Sequence, residues 1–285
     1  MKKSVLSSPR LLELKNKKRR VFLKRIFLWF FLLILILVGL SFLSKWQKLN
    51  INNIQISGNK VIETKMIEDV VKEKIAGNYL WIFPKTNFLF YPKGEIRKEL
   101  AEKFKRLKDI SISVQNLQTL NISLNERTAL YTYCGLAPAE LDDKNQKCYF
   151  LDDSGFIFDE APYFSGEVYQ KFYGLIDSND PSGSYFFAPN FAKLISFKET
   201  LEKIGMKPVV FFVENSGDIK IFLTSTTAQL GPFINLKADA DFDQLIENLQ
   251  SILATEPLQT EFKTKYSSLL YIDLRFGNKV YYKFK

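Results

Sequence analysis

Ser57 and Lys60 have the S-x-x-K spacing that serves acyl transfer in penicillin-binding proteins, where the serine is the nucleophile. That chemistry needs the serine at the start of a buried helix and S-D-N and K-T-G motifs elsewhere, and neither tripeptide occurs in the sequence. The residues between them, Gly58 and Asn59, are typical of a turn after a strand. We therefore interpret the segment as a turn and predict no acyl-enzyme chemistry.

Three aspartates alternate at Asp239, Asp241 and Asp243, as at the start of a calcium-binding loop. Such a loop needs glycine at its sixth position and glutamate at its twelfth, where this sequence has Gln244 and Gln250. Asp241 followed three residues later by Gln244 is instead the pattern of a helix N-terminus. We expect Asp241 to cap a helix and no calcium to bind.

Two acidic pairs, Asp142-Asp143 and Asp152-Asp153, flank Cys148 and have the residue type of general acid–base catalysis. Both occur in loop and turn sequence, so we expect solvated turns. Histidine is absent, which removes the usual general base and the commonest metal ligand. The sequence therefore predicts no catalytic, metal-binding or cofactor-binding residue.

The longest apolar run covers residues 26–43 and contains no charged side chain. As a helix this run would span about 27 Å, close to the thickness of a bilayer's hydrocarbon core. A cleaved signal peptide would have a shorter run and a small-x-small site, and a buried core helix would rarely follow so many cations. We predict a basic cytoplasmic tail over residues 1–25 and a transmembrane helix over residues 26–44.

The net charge of +9 is confined to the predicted tail. Residues 1–25 contain ten Lys and Arg and one acidic residue, and the rest of the chain contains thirty of each kind. The positive-inside rule then places the N-terminus in the cytoplasm and residues 46–285 on the far side of the membrane. A neutral exterior part gives no reason to expect nucleic-acid binding.

Cys134 and Cys148 are the only cysteines, and the predicted topology places both outside the cytoplasm. Disulfides persist in such oxidising compartments, and the two residues bracket a loop between strands that could pair. We predict a Cys134–Cys148 disulfide, with two free buried thiols as the alternative.

Residues 50–127 have the pattern of a small α+β domain in the order β-α-α-β-β. The first strand is predicted from Ile54 and Ile56, which alternate with polar residues. The first helix is predicted to start near Thr64 as its N-cap and to end at Gly77. A second helix and a hairpin follow.

Between the two predicted helices, residues 79–92 are rich in aromatic and apolar side chains. We expect this segment to pack in the core. A partner-binding surface is the alternative, because exposed apolar patches mark interaction sites.

Residues 128–285 predict a β domain with a mixed or antiparallel sheet and two or more helices. Short alternating segments are separated by turns, and helices are predicted over residues 191–204 and 242–254. The fold class is therefore α+β: a single N-terminal transmembrane helix, a β-α-α-β-β domain and a β-sheet domain.

The sequence closes on a predicted hairpin of two strands, Leu269–Phe276 and Lys279–Phe284, joined at Gly277-Asn278. The apolar face of the first strand is expected to face the core; its residues are Leu270, Ile272, Leu274 and Phe276. The other face is expected to meet water or a partner; its residues are Tyr271, Asp273 and Arg275. We expect the last strand to offer a free edge to a partner strand, or else only to complete the sheet.

The order of these segments resembles the FtsQ/DivIB family of bacterial cell-division proteins over nearly the whole chain. INNIQISGNKVIETKMIEDV resembles the opening of a POTRA domain, the β-α-α-β-β module just outside the membrane. TLNISLNERTALYTY and YFLDDSGFIF resemble the passage into the β domain, and YIDLRFGNKVYYK resembles the closing hairpin. The resemblance implies a POTRA domain over residues 50–127 and a C-terminal β domain over residues 128–285.

The resemblance further implies a non-enzymatic scaffold of the divisome, in the bacterial plasma (inner) membrane at the division septum. Its partners would be small bitopic proteins of the FtsB and FtsL kind, through which it would regulate septal peptidoglycan synthesis. The implied partner-binding residues are Arg275, Phe276, Gly277, Asn278, Tyr281 and Tyr282. A POTRA-bearing chaperone or translocation partner and an anchored exported enzyme are the alternatives.

Overall fold

Helix α1 (Pro9–Ser44) begins the part of the chain that the computed structural model describes, which is residues 9–138, 146–176, 180–225 and 230–285. Its portion Lys17–Ser44 is long and apolar enough to cross a membrane. The large apolar side chains from Val21 to Leu43 are exposed, so α1 is not a buried core helix. The predicted α+β class with an apolar N-terminal helix is confirmed at this level.

The chain divides into two compact units, and the first contains the residues up to Lys103 together with Asp109–Asn125. Its elements after α1 are β1 (Asn53–Ser57), α2 (Thr64–Ile75), β2 (Asn78–Tyr79), β3 (Phe83–Pro84), α3 (Lys93–Lys103), β4 (Leu107–Gln115) and β5 (Thr119–Glu126). Strands β1, β5 and β4 form a sheet in that order, with β1 parallel to β5. Strands β2 and β3 form a separate short hairpin.

Helices α2 and α3 of the first unit each bury one face, as an amphipathic spacing predicts. The buried positions are Ile67, Val70, Val71 and Ile75 on α2 and Ile96 and Leu100 on α3. Strand β5 adds Leu120 and Ile122 to the buried apolar set. Met66, an apolar residue in the first turn of α2, is half exposed.

The start of α2 differs from the prediction, and its end agrees. Thr64 is the first helical residue, and Glu63 occupies the cap position without a side-chain cap hydrogen bond. Thr64 is one residue past the cap position, and its hydroxyl accepts a hydrogen bond from Asn59 Nδ2 at 2.9 Å, within the preceding turn. The helix ends at Ile75 with Ala76 as its C-cap, and Gly77 comes next with φ +83°.

Gly58 occupies a turn position that only glycine fits. Its φ is +91°, and a Cβ built on it would lie 2.0 Å from the backbone oxygen of Leu124 on β5. The adjacent Ser57 ends strand β1, so it does not start a buried helix as the S-x-x-K mechanism requires.

The second unit contains Phe104–Lys108 and Glu126–Lys285. Its strands are β6 (Tyr131–Tyr133), β7 (Cys148–Leu151), β8 (Ile157–Ala161), β9 (Lys171–Gly174), β10 (Pro208–Val213), β11 (Asp218–Leu223), β12 (Phe233–Lys237), β13 (Leu269–Phe276) and β14 (Lys279–Phe284). The described strands form one mixed sheet in the order β14-β13-β12-β11-β10-β9-β6-β7-β8. Pairs β9–β10 and β12–β13 are parallel, and helices connect the strands of each pair. Pair β6–β9 is also parallel, and its connection contains β7 and β8.

Three helices accompany this sheet: α4 (Phe191–Lys203), α5 (Phe242–Leu253) and α6 (Leu258–Lys265). Helices α4 and α5 were predicted, and α6 was not. The main core includes side chains of α4, α5 and alternate sheet positions, among them Phe172, Phe197, Phe211, Ile221, Ile234, Leu249 and Ile272. Asp241 accepts hydrogen bonds from the N–H groups of Asp243 and Gln244, which confirms it as the cap of α5.

A smaller apolar cluster lies on the opposite face of the sheet. It contains Cys134, Tyr173, Val209, Val210 and Phe222, the sequence neighbours of several main-core residues. Adjacent strand residues point to opposite faces, so this cluster packs away from α4 and α5. A disulfide joins Cys134 to Cys148 within it.

Candidate partner-binding site

The candidate site is built on the hairpin β13–β14 at one edge of the large sheet. Phe276 pairs with Lys279 across Gly277-Asn278, and Gly277 has φ +64°. Glycine at the first central position is what a type II′ hairpin turn requires. Asn248 Nδ2 on α5 donates to Gly277 O at 3.3 Å and so ties the turn to the helix.

Arg275 on β13 is held by two carboxylates. Its NH2 and Nε atoms donate to Asp273 at 2.6 and 2.9 Å, and NH1 donates to Asp218 on β11 at 2.7 Å. The pKa of Arg275 is raised, chiefly by the hydrogen bond to Asp273 and then by the one to Asp218. The guanidinium group is therefore a fixed cation in a defined orientation.

Asp273 is buried, although it lies on the strand face that was expected to meet water or a partner. Burial alone would raise the pKa of its carboxyl group. The hydrogen bonds from the Arg275 side chain and backbone oppose this effect of burial on the pKa, and the net result is a lowered pKa. The carboxylate is charged at neutral pH and keeps Arg275 in place.

A groove of about 480 Å³ opens on the sheet face opposite α4 and α5. The groove is lined by Phe233, Asn235, Tyr271, Asp273, Arg275, Phe276 and Tyr281. Phe276 and Tyr281 meet edge to face at 5.2 Å between ring centroids, and their side chains are 56% and 49% exposed. Aromatic and guanidinium groups of this kind are enriched where proteins bind other proteins.

The hairpin brings most of the implied contact residues together. Arg275, Phe276 and Tyr281 line the groove, and Gly277-Asn278 forms the turn beside it. Tyr282 differs, because it packs half-buried against the main core, on the opposite face of β14.

The predicted core-facing side of β13 is wrong at two positions. Ile272 and Leu274 are buried as expected, but Phe276 is exposed and Leu270 is only half-buried. The pairing with β14 shifts register twice, between Leu269 and Tyr271 and between Asp273 and Phe276. Such bulges disturb the alternation of side chains. The two-residue repeat along the strand therefore does not predict which face a residue occupies beyond a bulge.

Sequence reasoning missed two groove residues, Phe233 and Asn235, and it missed Asp218, which holds Arg275 in place. Parallel pairing of β12 and β13 places Phe233 beside Tyr271 and Asn235 beside Asp273. No local pattern reveals this pairing, because two helices separate the strands. The one sequence signal was Asn235, a polar residue inside the apolar strand FINLK. Asn235 is buried, and its Oδ1 has no hydrogen-bond partner among the described residues.

Strand β14 has an edge with which no described strand pairs. The N–H of Lys285 donates to Ser268 O at 2.8 Å, so odd-numbered backbone groups of this strand face β13. The backbone direction alternates along a strand, so the N–H and C=O groups of Val280, Tyr282 and Phe284 face away from the sheet. These groups are the free edge that a partner strand would need.

A buried ion pair lies elsewhere in the second unit and corrects the expectation for Asp152. The carboxylate of Asp152 is 2% exposed and accepts a hydrogen bond from Arg127 NH1. It also accepts from the N–H groups of Ser154 and Phe156, at 2.8 and 3.0 Å. Asp153 is exposed and bonds Lys108 at 3.1 Å, as a solvated turn residue does, and Asp142-Asp143 lies outside the described residues.

Within the described ranges, no group of three or more His, Cys, Asp and Glu side chains could hold a metal ion. Comparison of the chain with protein-family models finds no match, and comparison with curated proteins finds none either.

Proposed function

We propose that the protein is a non-enzymatic, single-pass membrane scaffold of the bacterial divisome, of the FtsQ/DivIB kind. Its free sheet edge binds an extended segment of a small bitopic division protein of the FtsB or FtsL kind. Through that partner it regulates the septal peptidoglycan synthase.

The membrane assignment is supported by α1. The apolar part of this helix follows directly on a segment with ten cations and one acid, and Lys45 comes directly after its end. By the positive-inside rule, such an asymmetry supports a cytoplasmic tail, with residues 46–285 outside.

The POTRA assignment is supported by the order of elements in the first unit. Strand β1, helix α2, helix α3 and the hairpin β4–β5 follow one another, and β5 lies between β1 and β4 in the sheet. The short hairpin β2–β3 interrupts this order between the two helices.

The observation that carries the functional proposal is the free edge of β14. Its outward backbone groups lie beside a groove that presents Arg275, Phe276 and Tyr281. Strand addition uses the backbone for affinity and neighbouring side-chain pockets for specificity, and this hairpin offers both. The half-exposed rings of Phe276 and Tyr281 beside this edge add apolar surface that a partner could cover.

Localisation tests the divisome assignment. A fluorescent protein fused to the N-terminus should form a ring at mid-cell before constriction begins, and depletion should produce filamentous cells. A uniform envelope signal with normal division would overturn the proposal.

Topology is tested separately, with a reporter that works only outside the cytoplasm, fused after Lys285. We expect the fusion to be active. Activity of a reporter that works only in the cytoplasm would reverse the assigned orientation.

A further inference from the structure

The hairpin β2–β3 carries the most exposed aromatic side chain among the described residues outside α1. Trp81 is 92% exposed and its neighbour Leu80 is 82% exposed. The core position expected for residues 79–92 is therefore wrong at the tip of this hairpin. Ile82, Leu89 and Phe90 add further exposed apolar surface in the same segment.

The hairpin turn holds these two side chains outward at an energetic disadvantage. Leu80 and Trp81 have φ values of +47° and +62°, and Ile82 N–H closes the turn on Tyr79 O at 3.0 Å. Asparagine and glycine are the usual residues at such positions, because a bulky side chain is strained there. Two large apolar residues in this conformation indicate that the exposed tip has a role.

Hydrogen bonds connect the hairpin, and the residues that follow it, to the C-terminal end of α1. Ser41 Oγ donates to Ile82 O at 3.2 Å, and Asn87 Nδ2 donates to Ser44 O at 3.1 Å. Ser41 and Ser44 are buried by these contacts, whereas the large apolar residues before them on α1 are exposed. Two backbone bonds, from Phe88 N to Leu49 O and from Ile51 N to Thr86 O, extend the attachment beyond the helix.

These contacts fix the depth of the hairpin relative to the membrane. Ser41 belongs to the apolar run, and the first charge after that run is Lys45, only about 6 Å further along the helix axis. The backbone of Ile82 therefore lies at the end of the membrane-spanning part, and the tip begins one residue away. Tryptophan is enriched at this level of a bilayer, where its ring meets both acyl chains and headgroups.

We propose that the β2–β3 hairpin is a second membrane contact, in which Leu80 and Trp81 insert into the interfacial region of the same leaflet that α1 leaves. The contact would hold the first unit close to the bilayer. The partner is lipid rather than protein, because hydrogen bonds to α1 place the apolar tip at the membrane surface. The inference rests on α1 spanning the membrane, as proposed above.

Tryptophan fluorescence of the full chain in lipid vesicles tests the contact. The chain has three tryptophans, so the double variant Trp29→Phe/Trp46→Phe leaves Trp81 as the only tryptophan. We expect its emission to shift to shorter wavelength than in water, and lipids brominated near the headgroup to give about a two-fold loss of intensity. Emission typical of water that is quenched by aqueous iodide and not by brominated lipid would overturn the proposal.

A second double variant separates failure of the membrane anchor from failure of the hairpin contact. The variant Trp46→Phe/Trp81→Phe leaves Trp29, within the apolar run, which deep brominated lipids should quench if α1 spans the bilayer. Loss of that quenching contradicts the membrane anchor; quenching of Trp29 without quenching of Trp81 contradicts only the hairpin contact.

A matched control uses Met66→Trp in a chain whose own tryptophans are replaced by phenylalanine. Met66 is half exposed on the first turn of α2, about 14 Å along that helix from its end near the hairpin. We expect iodide to quench this tryptophan and brominated lipid to leave it unchanged. Equal lipid quenching at Met66→Trp and Trp81 would show non-specific adsorption and contradict insertion of the tip.

Discussion

Arg127 and Asp152 form an ion pair in the second unit, with Asp152 fully buried and the Arg127 side chain 11% exposed. The guanidinium group lies over the ring of Phe156 at 3.8 Å, and its Nε donates to Lys105 O at 3.2 Å. The Arg127 side chain therefore neutralises the buried carboxylate, stacks on the phenylalanine ring and donates a hydrogen bond to the lysine carbonyl group.

Replacement of Arg127 by methionine should strongly destabilise the second unit, because Asp152 would remain buried without its cation. Removing one partner of a buried pair costs about 3–5 kcal/mol of unfolding free energy. The double variant Arg127→Met/Asp152→Asn should recover part of that loss. Hydrogen exchange of β7 and β8 in the full chain measures the effect, and equal protection in the wild type and Arg127→Met would contradict it.

Acid should weaken the same pair. Burial alone would raise the pKa of Asp152, but hydrogen bonds from Ser154, Arg127 and Phe156 lower it. A lowered folded-state pKa adds stability above the ordinary aspartate value of about 3.9, and that stability is lost as the pH falls through the folded value. The difference in unfolding free energy between wild type and Asp152→Asn should therefore shrink at acid pH. The pKa of Asp273 is also lowered, but Asp273 is present in both proteins, so its contribution cancels in this difference.

Alanine at Gly58 should destabilise the first unit far more than alanine at Gly77. Both glycines have positive φ, at +91° and +83°, so both substitutions strain the backbone by about 1–2 kcal/mol. Only Gly58 faces a backbone oxygen, that of Leu124, within contact distance; a Cβ at Gly77 meets nothing within 4 Å. We expect Gly58→Ala to cost about 3 kcal/mol or more. Similar melting temperatures for the two variants would refute the close approach.

The elements of this fold were largely predictable from short-range patterns. Strands β13 and β14 begin and end where alternation and Gly277-Asn278 predict, and α5 begins at the Asp241 cap. Helix α6 was missed because its sequence, LQTEFKTK, is short and mostly polar.

The candidate site was less predictable, because it depends on contacts between distant residues. Asp218 reaches Arg275 across 57 positions of sequence, and the Arg127–Asp152 pair, which lies outside the site, spans 25. Asp152 occurs in a typical turn sequence, and nothing local distinguishes a buried carboxylate from a solvated one there. The register shift before Phe276 likewise arises from pairing with β14, which alternation along β13 alone does not reveal.

The Cys134–Cys148 disulfide should form in protein taken from the membrane without reductant. Alkylation followed by mass spectrometry should find both cysteines blocked, whereas two alkylated cysteines in native protein would refute the bond. Closing a loop of 14 residues is worth about 3 kcal/mol in the chain-entropy model. The double variant Cys134→Ser/Cys148→Ser should therefore lower the melting temperature of the second unit.

Proline at Val280 should abolish partner binding through the edge of β14. The Val280 N–H faces away from β13, so proline removes a donor that a partner strand would use and that no described strand uses. Val280 suits this test better than Tyr282, whose ring packs against Phe284 at 5.8 Å between centroids and would also be lost. Pull-down of small bitopic division proteins measures binding, and a melting curve of the full chain measures folding.

Two matched variants make the edge test decisive. Val280→Ala shortens the same side chain but keeps the outward N–H, so binding should persist. Tyr281→Pro removes an N–H that faces β13, so it should lower the melting temperature of the hairpin as well as binding. Lost binding with Val280→Pro alone, at an unchanged melting temperature, supports strand addition. Binding that persists in Val280→Pro means that the partner contacts the groove side chains or another surface, and not the backbone edge of β14.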